Sequence, residues 1–206
     1  MGILDKFISA QYRRPSGLVG RYIGGLMVKQ HAPENGWTVD LLHAQPQDFI
    51  LEIGFGGGYA IQQLTHIVQR GKLAGVDFSS TMVAEAQKRN AEAVTSGLVD
   101  LRYADSSKLP FEDASFNKVF SIHSIYFWGQ PLTALREVWR VLKPHGRLIL
   151  TLLPKATPDE VGTLSFKPYA GCELEEMLKS AGFCETEIKD GRTEVYRSNY
   201  SVIGFK

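Results

Sequence analysis

The spacing of apolar positions changes character along this chain and divides it into three zones. Over 1–45 the period is helical. Ile3, Leu4, Phe7 and Ile8 form one stripe, and Leu18, Val19, Tyr22, Ile23, Leu26 and Met27 form a second, longer one. Arg14-Pro15-Ser16-Gly17 separates them, Pro33 to Gly36 ends the second, and a short third helix is predicted over 37–43. Over 46–153, short β-branched runs alternate with helical stripes. Strands are predicted at 48–53, 73–77, 99–103, 117–122 and 147–153, with helices at 59–69, about 81–95, and 131–142 between them. Pro131 suits a first helical turn, and Leu132, Leu135, Val138, Trp139 and Leu142 keep helical spacing behind it. Such alternation implies an α/β domain with a mostly parallel sheet covered on both faces. Over 154–206 the pattern gives a Pro-bounded loop (154–168), a helix at about 171–181, and strands at 184–189 and 199–205. The expected organisation is a helical N-terminal extension over 1–45 and one α/β domain over 46–206.

Composition narrows the function classes. The chain has 206 residues and 22% charged side chains, so a single core is easily supported. The net charge of +1 gives no general electrostatic reason to bind nucleic acid or a membrane surface. No apolar run approaches the ~20 residues of a membrane span, so stable membrane insertion is not expected. Met1 to Lys6 is charged too early for a signal peptide, and a cytoplasmic protein is the expectation. Cys172 and Cys184 lack metal-ligand spacing and read as reduced and structural; no metal is expected.

The chemistry concentrates where the first strand of the alternating zone breaks into glycines: Leu51-Glu52-Ile53-Gly54-Phe55-Gly56-Gly57-Gly58. Ala60, Ile61, Leu64, Ile67 and Val68 then share one helical face. Strand, glycine turn and helix open a βαβ unit. Glycine there permits backbone angles that a Cβ penalises and lets a ligand approach bare main chain. The helix start points unpaired N–H groups the same way. The dinucleotide fingerprint Gly-x-Gly-x-x-Gly fails, because Tyr59 occupies its third glycine position. The spacing is Gly-x-Gly-x-Gly at Gly54, Gly56 and Gly58, which disfavours a nicotinamide- or flavin-dependent oxidoreductase. A ligand-free tight turn is the plain structural alternative.

Two acidic residues follow. Asp77 closes the second strand, where a carboxylate can accept hydrogen bonds from both hydroxyls of a ribose. Otherwise it caps the next helix, a task equally open to Ser79 or Ser80. Asp105 follows the third strand at the same sheet edge and can accept from an exocyclic amino group, or simply form a turn.

Five segments in order carry a family resemblance: 51–58, then Val76-Asp77-Phe78-Ser79, then 104–111 (Ala-Asp-Ser-Ser-Lys-Leu-Pro-Phe), then Ser115-Phe116-Asn117-Lys118-Val119, then 135–148 (Leu-Arg-Glu-Val-Trp-Arg-Val-Leu-Lys-Pro-His-Gly-Arg-Leu). Their order and spacing resemble class I S-adenosylmethionine-dependent methyltransferases, most of all the small-molecule branch with the quinone-biosynthesis C-methyltransferases. The resemblance covers 46–153 well and the tail loosely. It implies a Rossmann-like, seven-stranded sheet whose last strand, near 199–205, is antiparallel. It implies S-adenosylmethionine as cofactor, held by Glu52, Gly54, Phe55, Gly56 and Gly58 on the methionine side, by Asp77, Phe78 and Met82, and by Asp105 with Ser106 at the adenine. His123, after the fourth strand, is implied near the methionine. Gly57, Phe55, Asn117 and His145 depart from the residues frequent in the family.

For such an enzyme the acceptor must offer a free electron pair. His123 is the candidate base, since imidazole takes up a proton near neutral pH; its plainer role is hydrogen bonding to main chain or cofactor. Tyr126, Phe127 and Trp128 cluster where the family's acceptor site lies, and aromatic walls suit a flat or apolar small molecule. The N-terminal zone is a lid lined by Tyr12, Tyr22 or Trp37, a packing extension or a dimer contact. The chain is expected to be a monomer or homodimer. The Asn/Asp-Pro-Pro-Tyr motif of methyltransferases acting on DNA bases or glutamine does not follow the fourth strand, which argues against those targets. A module that binds S-adenosylmethionine or its demethylated product without catalysis is the other reading.

Overall fold

The computed structural model describes residues 11, 14–30, 32–153, 168–193 and 196–206. The stripe at Ile3–Ile8, Tyr12 and most of the Pro-bounded loop lie outside them. Two helices come first: α1 (Gly17–Gln30) and α2 (Ala32–Leu42). Then follow β1 (Phe49–Ile53), α3 (Tyr59–Thr65), β2 (Lys72–Asp77), α4 (Ser80–Arg89), α5 (Ala91–Thr95), β3 (Val99–Tyr103) and β4 (Phe116–Ile122). A 3-10 turn (Ile125–Phe127), α6 (Pro131–Val141), β5 (Leu142–Leu152), α7 (Gly171–Ala181), β6 (Glu185–Thr193) and β7 (Tyr196–Phe205) complete the order.

The strands form one seven-stranded sheet in the order β3-β2-β1-β4-β5-β7-β6. Pairings from β3 through β5 are parallel, and β7 runs antiparallel to both β5 and β6. Alternation along each strand sends side chains to two cores. Leu51, Ile53, Val76, Val119, Leu148 and Leu150 meet Leu135 and Val138 of α6 and Leu174 and Leu178 of α7. Ile50, Leu73, Phe120, Ile149 and Ile203 meet Leu42 of α2 and Ile61 and Leu64 of α3 on the other face.

Three boundaries differ from the sequence expectation for identifiable reasons. Pro33 does not end a helix; it lies in the first turn of α2, where its missing N–H costs nothing. The single helix expected at 81–95 breaks at Asn90, whose amide turns away to donate to Gly58 O at 3.1 Å and Ala86 O at 2.9 Å. Leu142 is not the last turn of α6 but the first residue of β5, paired with Phe116. Of the α6 apolar positions, Trp139 remains 37% exposed, its ring covered by the Lys206 ammonium at 3.9 Å. Cys172 and Cys184 are free thiols, and both are exposed.

Candidate cofactor-binding site

The sheet order reverses direction between β1 and β4, and the carboxyl ends of the strands there frame a crevice. A cleft of about 130 Å³ opens at this point. Its lining comes from the residues after four strands: Ile53 and Gly54 from β1, Val76 to Phe78 from β2, Ala104 to Ser106 from β3, and Ser124, Phe127, Trp128 and Gly129 from β4. Gly54, Asp77, Phe78, Asp105, Ser106, Phe127 and Trp128, all singled out from the sequence, are thereby brought together.

The glycine turn is shaped by local need and by its neighbours. Gly54, Gly56 and Gly58 all have positive φ (75°, 51° and 71°). A Cβ on Gly54 would also stand 2.4 Å from the Ser124 Cβ. Ser124 cannot yield easily: its Oγ donates to Ile53 O at 2.8 Å, lies 2.5 Å from Ser121 Oγ, and accepts from Trp128 Nε1 at 3.1 Å. Gly58 is closed off by Ala86 and Asn90 instead, and Arg89 Nε donates to Gly57 O at 2.7 Å. The end of α4 thus braces the turn. Ser124, Arg89 and Asn90 carry no motif of their own, so their part was not readable from the sequence.

Asp77 does not cap α4. Ser79 does, accepting from Met82 N at 3.2 Å. The Asp77 carboxylate accepts from Gly56 N at 2.9 Å and from Ser79 N at 2.8 Å, which locks the glycine turn to the end of β2. Each of its oxygens retains a second lone pair for a ligand hydroxyl. Burial pushes the Asp77 pKa up, against the pull of these two N–H groups. Glu52, on the same face of β1, is 3% exposed, and its Oε2 finds no hydrogen-bond partner among the described residues. Burial, helped by the charge of Asp77, pushes the Glu52 pKa up to about 8. Asp105 is exposed and forms the turn also foreseen for it, accepting from Ser107 N at 2.8 Å and Ser107 Oγ at 2.6 Å, which holds its pKa low.

Other sequence candidates lie elsewhere. The Phe55 ring is buried in the α3-side core against Gly75 rather than in the cleft. Met82 is buried in the first turn of α4. Tyr22 is 70% exposed on α1, so it lines no wall of the cleft. Trp37 lays its ring on Gly191 of β6. Tyr126 accepts at its hydroxyl from Leu153 N at 2.7 Å, whereas Trp128 lines the cleft although most of its surface is buried. His123 is half-buried at the end of β4, with φ at 51° and its N–H donated to Thr151 O at 3.0 Å. An unforeseen contact ties the segment before α1 to the ends of β2 and β3: Ser79 Oγ donates to Pro15 O at 2.5 Å, and Arg14 Nη2 donates to Tyr103 Oη at 3.0 Å with its guanidinium 5.8 Å from the Phe78 ring.

The donor set fits S-adenosylmethionine. A buried carboxyl with an orphaned oxygen suits a ligand carrying positive charge, the Asp77 carboxylate with its spare lone pairs in the cleft suits sugar hydroxyls, and a Cβ on Gly54 would fill the space between β1 and Ser124.

Comparison with known proteins agrees. A family profile described as a methyltransferase domain matches residues 51–150. The uncharacterized methyltransferase YdaC of Bacillus subtilis is 30% identical over 169 residues, 81% of this chain and 88% of that protein. The O-methyltransferase resE of Aspergillus sclerotiorum is 34% identical over 157 residues, 71% of this chain but only 58% of that protein. A solved S-adenosylmethionine-dependent methyltransferase from Aquifex aeolicus superposes with a TM-score of 0.66 at 23% identity, covering 83% of this chain and 88% of that one. Sequence kinship, sheet order and the cleft at the switch point agree, and the chain belongs to the class I S-adenosylmethionine-dependent methyltransferases.

Proposed function

We propose that the methyl acceptor is a small molecule with a flat or apolar body, and that the reacting atom is an oxygen. The cofactor supplies a methyl group on a sulfonium, already activated for displacement. What the chain must add is alignment and exclusion of water, and alignment alone contributes about 7–11 kcal/mol in well-oriented systems. Asp77 would hold the ribose hydroxyls, Asp105 and Ser106 the adenine edge, and Glu52 with the Gly54–Gly58 turn the methionine portion. Glu52 is buried and the glycine turn is braced by hydrogen bonds with Asp77, Arg89 and Asn90, which suits positioning more than proton chemistry. His123 is the candidate base; its left-handed backbone is an uncommon, costly conformation for a residue with a side chain, of the kind found at functional sites.

The observation that carries the reading is the Asp77 carboxylate, which lines the cleft at the switch point and holds the glycine turn through Gly56 N. An oxygen acceptor is supported by the Aspergillus O-methyltransferase relative. The partly exposed Phe127, in the cleft lining, supports an apolar body; Tyr126 and Trp128 support it less, being occupied in packing and hydrogen bonds. The test is calorimetric titration of the chain and of Asp77→Ala with S-adenosylmethionine. Loss of a hydrogen bond to a charged group is worth about 1.5–3 kcal/mol, so affinity should fall about 10- to 100-fold. An unchanged affinity would remove Asp77 from the ribose.

A further inference from the structure

A second group of buried polar side chains lies where α2 packs against β5 and β7. On α2, Glu34, Thr38 and Leu42 follow one another at intervals of four and form one buried stripe against the sheet. The direction of that stripe is fixed at both levels. Arg147 donates to Leu42 O low on β5, and the Thr38 hydroxyl meets the Thr151 hydroxyl at 2.7 Å higher up the same strand. Thr151 in turn meets Ser201 of β7 at 2.8 Å. Leu42 therefore packs at the level of Ile149 and Ile203, Thr38 at the level of Thr151 and Ser201, and Glu34 one helical turn nearer the carboxyl edge. On β7 the residue one step higher on that face is Asn199.

The lower levels of this seam are closed, the first by apolar packing and the second by a chain of three hydroxyls. The top level is not. Glu34 is 5% exposed and Asn199 4%, yet Glu34 Oε2 and the Asn199 amide oxygen find no hydrogen-bond partner among the described residues. An acceptor oxygen left this way is expensive, and a purely structural seam would replace it or pair it. Both orphans are acceptors, so what they lack is a donor. One level below them, the carbonyl of Thr151 accepts the backbone N–H of His123, the candidate base at the end of β4. Trp37 adds a flat wall, its ring lying on Gly191, the β6 partner of Asn199.

We propose that Glu34 and Asn199 are specificity-determining residues that receive an O–H or N–H donor of the methyl acceptor. The inference rests on the methyl-transfer reading and narrows its substrate class to acceptors with a hydrogen-bond donor. It has a consequence that needs no known acceptor. Residues kept unpaired for a ligand are not optimal for the free fold, so Glu34→Gln and Asn199→Leu, made in the full chain, should unfold at the same temperature or up to about 2–4 °C higher. A fall in both would assign the pair to structure and overturn the proposal.

The second arm measures S-adenosylhomocysteine release with phenols, alcohols and primary amines against tertiary amines and thioethers. Methylation confined to the donor-bearing compounds is expected, with KM for the acceptor raised about 10- to 100-fold in Glu34→Gln and the Kd for S-adenosylmethionine unmoved. Turnover of the donor-free compounds alone, or an unmoved KM in both variants, overturns the proposal. Failure of the unaltered chain to bind S-adenosylmethionine in calorimetry would sink the methyl-transfer reading itself, whatever the variants do.

Discussion

Glu52 shows how one buried side chain links stability, pH and ligand. In the folded, ligand-free chain its pKa stands near 8, while an unfolded glutamate ionises near 4.5. Between those values the folded state holds the extra proton, so its stability falls as pH rises from about 4.5 to 8. Glu52→Gln should flatten that part of the Tm-against-pH curve, which scanning calorimetry at pH 5 and pH 8 reads directly. A cation beside the carboxyl favours its charged form. Binding of S-adenosylmethionine should therefore expel a proton and strengthen as pH rises toward 8. Titrations in buffers of unlike ionisation enthalpy count that proton; finding the same release in Glu52→Gln would show that it comes from another group.

The glycine turn between β1 and α3 is an element held from both sides. Asp77 pins its middle through Gly56 N, while Arg89 and Asn90 pin its end through two carbonyls. Its glycines are not equivalent. Gly56 has positive φ but open space around it, whereas Gly54 combines positive φ with the Ser124 side chain 2.4 Å from where its Cβ would be. Gly56→Ala should cost only the left-handed backbone penalty, about 1–2 kcal/mol, or about 2–8 °C in Tm. Gly54→Ala should cost more and weaken S-adenosylmethionine as well, because Ser124 must move into the cleft it lines. Equal effects of the two substitutions would mean that Ser124 gives way freely.

At the scale of the whole molecule, the sheet order makes one ligand-ready crevice out of residues far apart in the chain, from Ile53 to Gly129. A ligand that binds only this assembled edge stabilises the entire domain. S-adenosylmethionine at a hundredfold excess over its Kd should add about 2.7 kcal/mol, raising Tm by about 5–11 °C. NAD should leave Tm unmoved, since Tyr59 stands where its fingerprint needs glycine; a matching shift with NAD would contradict the cofactor assignment. No helix among the described residues is long and apolar enough to cross a membrane.

The amino-acid sequence by itself determined what depends on neighbours along the chain. Alternation of apolar runs set the strands and helices of 46–153, glycine spacing placed the turn after β1, and acidic residues at strand ends marked Asp77 and Asp105. Local signals failed where a local pattern had two solutions. Pro33 suits a helix start as well as a helix end, and Asn90 reads as helix until Gly58 supplies another partner for its amide. Only the tertiary structure decided which side chains face the ligand. It buried Phe55 against Gly75, left Tyr22 in solvent, engaged Tyr126 with Leu153, and brought Ser124, Arg14 and Glu34 into positions that no motif announces. The reason is physical: periodicity is fixed by backbone geometry over a few residues, whereas the pairing and burial of a side chain depend on groups that only the folded sheet brings within reach.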